Sequence, residues 1–143
     1  MVPKQGKVKV MERSLYSARY CFVENLYNRG LLRPMEYSIL DQWFQFAAKS
    51  ESTDIDLIIY LRSDPEVVFK RIKARGRPEE AGLTLDYLKA LHELHEDWLI
   101  RGKYPLRARV LSIDANTPLD QIVSIYEEKT DIVLREHIAV MAQ

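Results

Sequence analysis

The run Arg71-Ile-Lys73-Ala-Arg75-Gly76-Arg77-Pro78-Glu79-Glu80 gathers four cations and then two carboxylates in one short stretch. Guanidinium forks match phosphate oxygens two at a time and keep their charge at any working pH. Gly76 and Pro78 keep the run from settling into one long helix. Such a segment suits a flap that closes over a polyphosphate and brings a carboxylate to a neighbouring hydroxyl. Taken alone, the run reads first as the solvated end of a mixed-charge helix. A second segment reverses that reading.

Val8 and Val10 alternate with lysines in the pattern of a strand, and Glu12-Arg13-Ser14 follows where that strand would end. In an open α/β sheet, ligands bind just outside the carboxyl ends of the strands. Glu12 is placed there to hold Mg²⁺ or take a proton, and Arg13 to neutralise phosphate charge. On its own the triplet reads as an exposed ion pair; beside the flap it becomes specific.

Four stretches together carry a family resemblance: Met11 to Asn25 (Met-Glu-Arg-Ser-Leu-Tyr-Ser-Ala-Arg-Tyr-Cys-Phe-Val-Glu-Asn), Asp56 to Arg62, Arg75 to Glu80, and Leu91 to Ile100. In this order and spacing the chain resembles the deoxyribonucleoside kinases, nearest the insect multisubstrate enzymes and mitochondrial thymidine kinase 2. The match runs from about Val8 to Asp114.

The resemblance implies an α/β fold, the P-loop-kinase-like parallel sheet flanked by helices. It also implies a glycine-rich phosphate loop, G-x-x-x-x-G-K-[ST], whose amides and lysine hold ATP. The 143 residues contain five glycines and none in that pattern. The expectation is therefore that residues 1–143 form the C-terminal part of a deoxynucleoside kinase domain, with its lid at about 71–83, and that the chain alone is inactive. The family's strand order, 2-3-1-4-5, would leave only strands 3, 4 and 5 here. Strand 3 would then lack both neighbours, and each unpaired buried backbone group costs about 1–3 kcal/mol. A marginal, aggregation-prone chain is expected unless a partner supplies the missing strand.

The resemblance assigns roles residue by residue. Glu12 would work near Mg²⁺ and the 5′-hydroxyl, and Arg13 would contact that hydroxyl and the phosphoryl group in flight. Phe22 would stack on the nucleobase; without the resemblance it reads as a core ring at helical spacing. Arg71, Arg75 and Arg77 would meet the adenine and phosphates of ATP, and Glu80 would accept from the sugar 3′-hydroxyl. Thr117, Pro118 and Leu119 lie where relatives contact adenine through backbone. Ala18 stands where the deoxycytidine and deoxyguanosine kinase branches carry Asp, which points to a pyrimidine-preferring or broad substrate range. The implied reaction is ATP-dependent 5′-phosphorylation of a deoxynucleoside. Alternatives are a non-catalytic module that modulates a full-length kinase, or a nucleoside monophosphate kinase with a similar lid. Ser14 to Tyr20 matches the nucleoside branch and argues against the last.

Composition fits a soluble, intracellular globular piece, cytoplasmic or mitochondrial. Hydrophobic residues make up 47%, enough for one core. Lys+Arg and Asp+Glu balance at 21 each, so no net field attracts nucleic acid. No apolar run approaches the ~20 residues that span a bilayer, and no signal peptide is evident. The single cysteine, Cys21, reads as a small core hydrophobe in a reducing compartment.

Strands and helices alternate, which argues for a parallel sheet. Strands are expected at about Val8–Met11, Leu57–Leu61 (buried on both faces) and Val110–Ile113. Helices are expected from Ser14 to about Asn28, Pro34 to about Lys49, Pro65 to about Ala74 with Asp64 as cap, Thr84 through Ile100, and onward from Thr117 with Leu119, Ile122, Val123 and Tyr126 on one face. His92 and His95 stand three apart, not the four that a zincin motif needs, so zinc is not expected; lone His137 reads as exposed. The first helix carries two apolar stripes, Leu15/Ala18/Phe22/Leu26 and Tyr16/Tyr20/Val23/Tyr27. The second fits either a homodimer interface, as in family members, or packing on the following helix through Tyr37, Leu40, Trp43 and Phe44.

Overall fold

The computed structural model describes residues 9–49, 53–118 and 121–129. Helix α1 runs in three parts: α-helical Leu15–Ser17, a π-helical turn Ala18–Val23, and α-helical Glu24–Asn28. Pro34–Ala47 forms α2, with Pro34 in the first turn where its missing N–H costs nothing. Strand β1 is Leu57–Arg62; α3, Pro65–Arg75, leads through a 3₁₀ turn, Pro78–Glu80, to α4, Leu85–Leu99. Strand β2 is Arg109–Asp114, and residues 121–129 are helical, here α5.

The two strands pair in parallel, Ile58 opposite Val110 and Tyr60 opposite Ser112. The chain is thus a mixed α/β unit with a parallel sheet flanked by helices, as its sequence pattern implies. Ile58, Tyr60 and Val110 face a core built from Tyr20, Cys21, Phe44, Leu94, Trp98 and Leu99. Aromatic rings knit that core: Tyr20 meets Phe44 edge-on, with centroids 5.3 Å apart, and stacks on Tyr104 at 4.4 Å.

Several expectations are corrected. Lys9–Met11 form no strand, and Val8 lies outside the described residues. A strand exists by its ladder, and among the described residues the one ladder joins β1 to β2. β1 is not buried on both faces: Ile59 and Leu61 are 40% and 49% exposed, because helices cover only the Ile58/Tyr60 side. Asp64 holds the N-cap position of α3 without a side-chain cap bond; its N–H donates instead to Asn116 Oδ1 at 2.8 Å. Thr84 does cap α4, accepting from the Tyr87 N–H at 3.2 Å. In α5, Ile122 is buried while Val123 is exposed; Leu119 and His137 lie outside the described residues.

The stripes of α1 are also redrawn. The π turn adds a residue to the repeat and rotates the face, so Ser17, Tyr20, Cys21 and Asn25 turn inward while Ala18 and Leu26 are exposed. Tyr16 and Tyr20 lie against Phe44, and Tyr27 stacks on Tyr37 at 4.2 Å, so α2 covers the tyrosine stripe. The apolar face without cover among the described residues belongs to α2 itself: Met35, Ile39, Trp43 and Phe46 are all exposed.

Arg19 fixes α1 to α2. Its Nη1 donates to Glu24 Oε2 at 2.8 Å, its Nε to Asp41 Oδ1 at 2.8 Å, and its Nη2 to the Tyr37 hydroxyl at 2.7 Å. Burial alone would lower the basicity of this guanidinium, but bonds to Glu24, Asp41 and Tyr37 outweigh it and hold the charge firmly.

Candidate functional site

Ser14 organises the turn that carries Glu12 and Arg13. It stands at the N-cap of α1, where its Oγ accepts from the Ser17 N–H at 3.3 Å and its own N–H donates to Ser17 Oγ at 2.8 Å. This reciprocal box satisfies donors that a helix start leaves open. Arg13, just before it, adopts φ 62. That left-handed conformation costs a side-chain-bearing residue about 1–2 kcal/mol, a strain that clusters at functional sites. The Arg13 guanidinium carbon lies 4.5 Å from the centroid of the Phe22 ring, a cation–π contact. Glu12 is exposed on the same turn, Ala18 is exposed on the π turn, and Phe22 is half-buried.

Behind Phe22 a polar column joins α4 to β1. His95 meets Phe22 edge-on, with centroids 6.5 Å apart, and lies nearly parallel to Tyr60 at 6.0 Å. Tyr60 OH and Arg62 Nε both donate to Glu96 Oε1 at 2.9 Å. Burial pushes the Glu96 carboxyl up, but the bonds from Arg62 and Tyr60 win and hold it below the usual carboxylate range. The Tyr60 phenol is pushed well up, first by burial and then by its bond to Glu96.

The segment expected to form a lid is compact. Gly76 ends α3 at φ 66, its N–H donating to Ile72 O, and the 3₁₀ turn follows. Arg75 and Glu80 make a forked ion pair, Nη2 to Oε1 at 2.5 Å and Nε to Oε2 at 3.2 Å. Arg77 is exposed. Among the described residues, no hydrogen bond or ion pair joins Glu12 or Arg13 to Arg75, Arg77 or Glu80.

Arg71 faces another way. Its guanidinium donates to three successive carbonyls, Ala115 O at 2.6 Å, Asn116 O at 3.1 Å and Thr117 O at 3.0 Å. Asn116 Oδ1 accepts from Ser63 Oγ and the Asp64 N–H, at 3.1 and 2.8 Å. The turn at Asn116 and Thr117 is thereby bolted to the N-cap of α3 and to Arg71 within it; Leu119 is outside the described residues. Sequence reasoning brought Arg71 and Thr117 to the same ligand, and the structure joins them directly. It missed His95, Asn116 and Arg19, whose partners are distant in sequence. Only Asn116 left a local trace, an N–H that returns to Asp114 Oδ1 at 2.9 Å in an Asx turn.

Among the described residues there is no group of three His, Cys, Asp or Glu able to hold a metal. Glu12 offers one exposed carboxylate, which suits an ion that keeps water and substrate phosphates as its other ligands. His95 Nδ1 is engaged with Leu91 O at 2.7 Å. Cys21 is fully buried, and burial pushes its thiol up to about 12. No helix among the described residues is long and apolar enough to cross a membrane.

A parallel sheet flanked by helices, with an arginine-bearing turn at a helix start, places the chain among the α/β proteins. A model of the deoxynucleoside kinase family matches residues 1–140, and the chain belongs to that family. It is 42% identical over 133 residues to human mitochondrial thymidine kinase 2, covering 92% of this chain and 50% of the relative. Rat deoxycytidine kinase is 38% identical over 117 residues, 76% of this chain and 45% of the relative. Mitochondrial deoxyguanosine kinase of Xenopus laevis is 40% identical over 103 residues, 71% and 39%. The chain spans about half the length of the curated relatives it matches.

Proposed function

We propose that the protein to which this chain belongs phosphorylates the 5′-hydroxyl of deoxynucleosides, using ATP and releasing the deoxynucleoside monophosphate and ADP. The observation that carries this is the strained Arg13 held against Phe22, since it sets a fixed charge beside an apolar ring at the mouth of a helix. Phe22 takes the nucleobase on its π face, and Arg13 neutralises charge spreading over the phosphoryl oxygens during in-line transfer. Glu12 stands beside the attacking hydroxyl. Mg²⁺, held by Glu12 with phosphate and water, would neutralise the β- and γ-phosphate oxygens.

In the same reading, Arg75 and Glu80 exchange their mutual ion pair for ligands, Arg75 and Arg77 taking ATP phosphate and Glu80 the 3′-hydroxyl. Arg71 and the turn at Thr117 and Pro118 border the adenine. Small, apolar Ala18 supports thymidine and other pyrimidines, or a broad range, over a site with an acidic partner for the base. The names of the relatives leave cytoplasm and mitochondria both open as compartments. ATP-dependent phosphorylation of thymidine tests the reading, with this chain alone and with the chain fused behind the amino-terminal half of human thymidine kinase 2. Activity in the fusion supports it; no product from the fusion, with thymidine or any other deoxynucleoside, refutes it.

A second reading rests on the uncovered face of α2. Met35, Ile39, Trp43 and Phe46 form an apolar stripe suited to a second copy or to a full-length kinase. The chain would then act as a non-catalytic pairing module. Sedimentation of the chain with full-length kinase separates the two readings.

A further inference from the structure

The ring proposed to receive the base is itself held from behind. His95 and Phe22 form a T-shaped pair at 87°, and the plane of His95 lies within 9° of parallel to Tyr60. Its Nδ1 lies 2.7 Å from Leu91 O and so carries the hydrogen, which ties the ring plane to α4. Tyr60 is pinned in turn through Glu96 and Arg62. Phe22 therefore meets both the Arg13 guanidinium and a ring held by two other elements. Burial first, and then the charges of Arg13 and His92, hold the imidazole below its usual range. A neutral ring adds no second cation beside Arg13.

We infer that His95 is a positioning residue of the acceptor-nucleoside site: a clamped flat ring that sets the plane of Phe22 and, through Phe22, the place of Arg13. The inference rests on the function proposed above for its substrate, but its geometry can be read without any activity. His95 touches neither base nor phosphate in this account. A flat ring at this position is what matters, because an aliphatic side chain of similar volume fills the space without fixing a plane.

The test compares His95→Leu with His95→Phe, both of which keep the core filled. In ¹H–¹⁵N spectra of this chain, the Arg13 Nε–H should carry an upfield ring-current shift from Phe22. His95→Leu should lose most of that shift and His95→Phe should keep it. In the fusion enzyme, His95→Leu should raise the thymidine KM about ten-fold while kcat and the ATP KM stay within about two-fold, and His95→Phe should restore it. An Arg13 shift unchanged in His95→Leu overturns the inference, whatever the kinetics. Loss of the shift in both variants also overturns it, since the imidazole nitrogen and not the flat ring would then be responsible. A parent fusion that phosphorylates no nucleoside would refute the proposed function, while the shift would still judge the positioning role.

Discussion

Arg75 and Glu80 are bound to each other, Nη2 to Oε1 at 2.5 Å, across the turn that holds Gly76 and Pro78. Two side chains proposed for separate ligands, a phosphate and a sugar hydroxyl, thus satisfy one another. Arg75 is about half exposed, so the pair contributes little to stability. Glu80→Gln should shift unfolding by less than about 0.5 kcal/mol. In the fusion enzyme it should raise the nucleoside KM by about ten-fold or more, the cost of a lost charge-assisted hydrogen bond. Urea unfolding and steady-state kinetics read the two effects separately.

Arg13 offers a test of stored strain. Arg13→Gly and Arg13→Ala both delete the guanidinium and should both cut phosphorylation by about 100-fold or more. The glycine variant should nevertheless be the more stable of the two by about 1 kcal/mol, since only alanine keeps a Cβ at φ 62. Equal stability would mean that the backbone at this position is unstrained.

Arg19 has the largest structural stake. Its side chain is 9% exposed and serves Glu24 and Asp41 together. Arg19→Met should destabilise the chain by about 3 kcal/mol, because the largely buried Glu24 loses its cation and is left with the Tyr37 hydroxyl alone, at 2.9 Å. Asp41→Asn should cost about 1 kcal/mol, since Asp41 is partly solvated. Thermal or urea unfolding of each variant decides it.

The turn beyond β2 should show coupling. Arg71→Ala removes three bonds to carbonyls of residues 115–117, and Asn116→Ala removes those from Ser63 and Asp64. Each should cost about 1–2 kcal/mol. The double variant should cost less than the sum, because both hold one turn. A fully additive pair would contradict the picture of a single bolted unit.

Acid should act in two stages. The folded pKa of His95 lies below its ordinary 6.5, so its contribution is complete above that value and is lost as pH falls through the folded value. The groups around it are Arg13 on the turn, His92 and Glu96 on α4, and the Tyr60 ring on β1. Glu96 is depressed below 4.5 by Arg62 and Tyr60 against the pull of burial, so its contribution is complete above 4.5 and disappears at lower pH. Glu96→Gln should shrink the lower stage in a plot of unfolding free energy against pH and, because the Glu96 charge also supports the His95 imidazolium, carry the upper stage to lower pH.

What the sequence disclosed was local or strongly patterned. Pro34, Pro65, Thr84 and Gly76 punctuate helices by their own backbone chemistry, and Leu57–Arg62 is β-rich enough to stand out. The π turn at Ala18–Val23 was hidden, because its hydrogen-bond shift leaves no mark in residue type. The strand expected near Val10 depended on neighbours that the pattern of one segment cannot report. In the site, residue type singles out Arg13 and the arginines of 71–77 and the family resemblance adds Phe22, while their partners come only from the fold. Arg71 is the sharpest case: residue type and resemblance point it toward ATP, while its bonds to the carbonyls of residues 115–117 come only from the fold.

The most direct measurement is ATP-dependent formation of thymidine 5′-monophosphate by the fusion of this chain behind the amino-terminal half of human thymidine kinase 2. The account predicts turnover that Arg13→Ala abolishes and that Glu80→Gln weakens through the nucleoside KM. No turnover of thymidine or any other deoxynucleoside by a folded fusion, or turnover indifferent to Arg13, would contradict it.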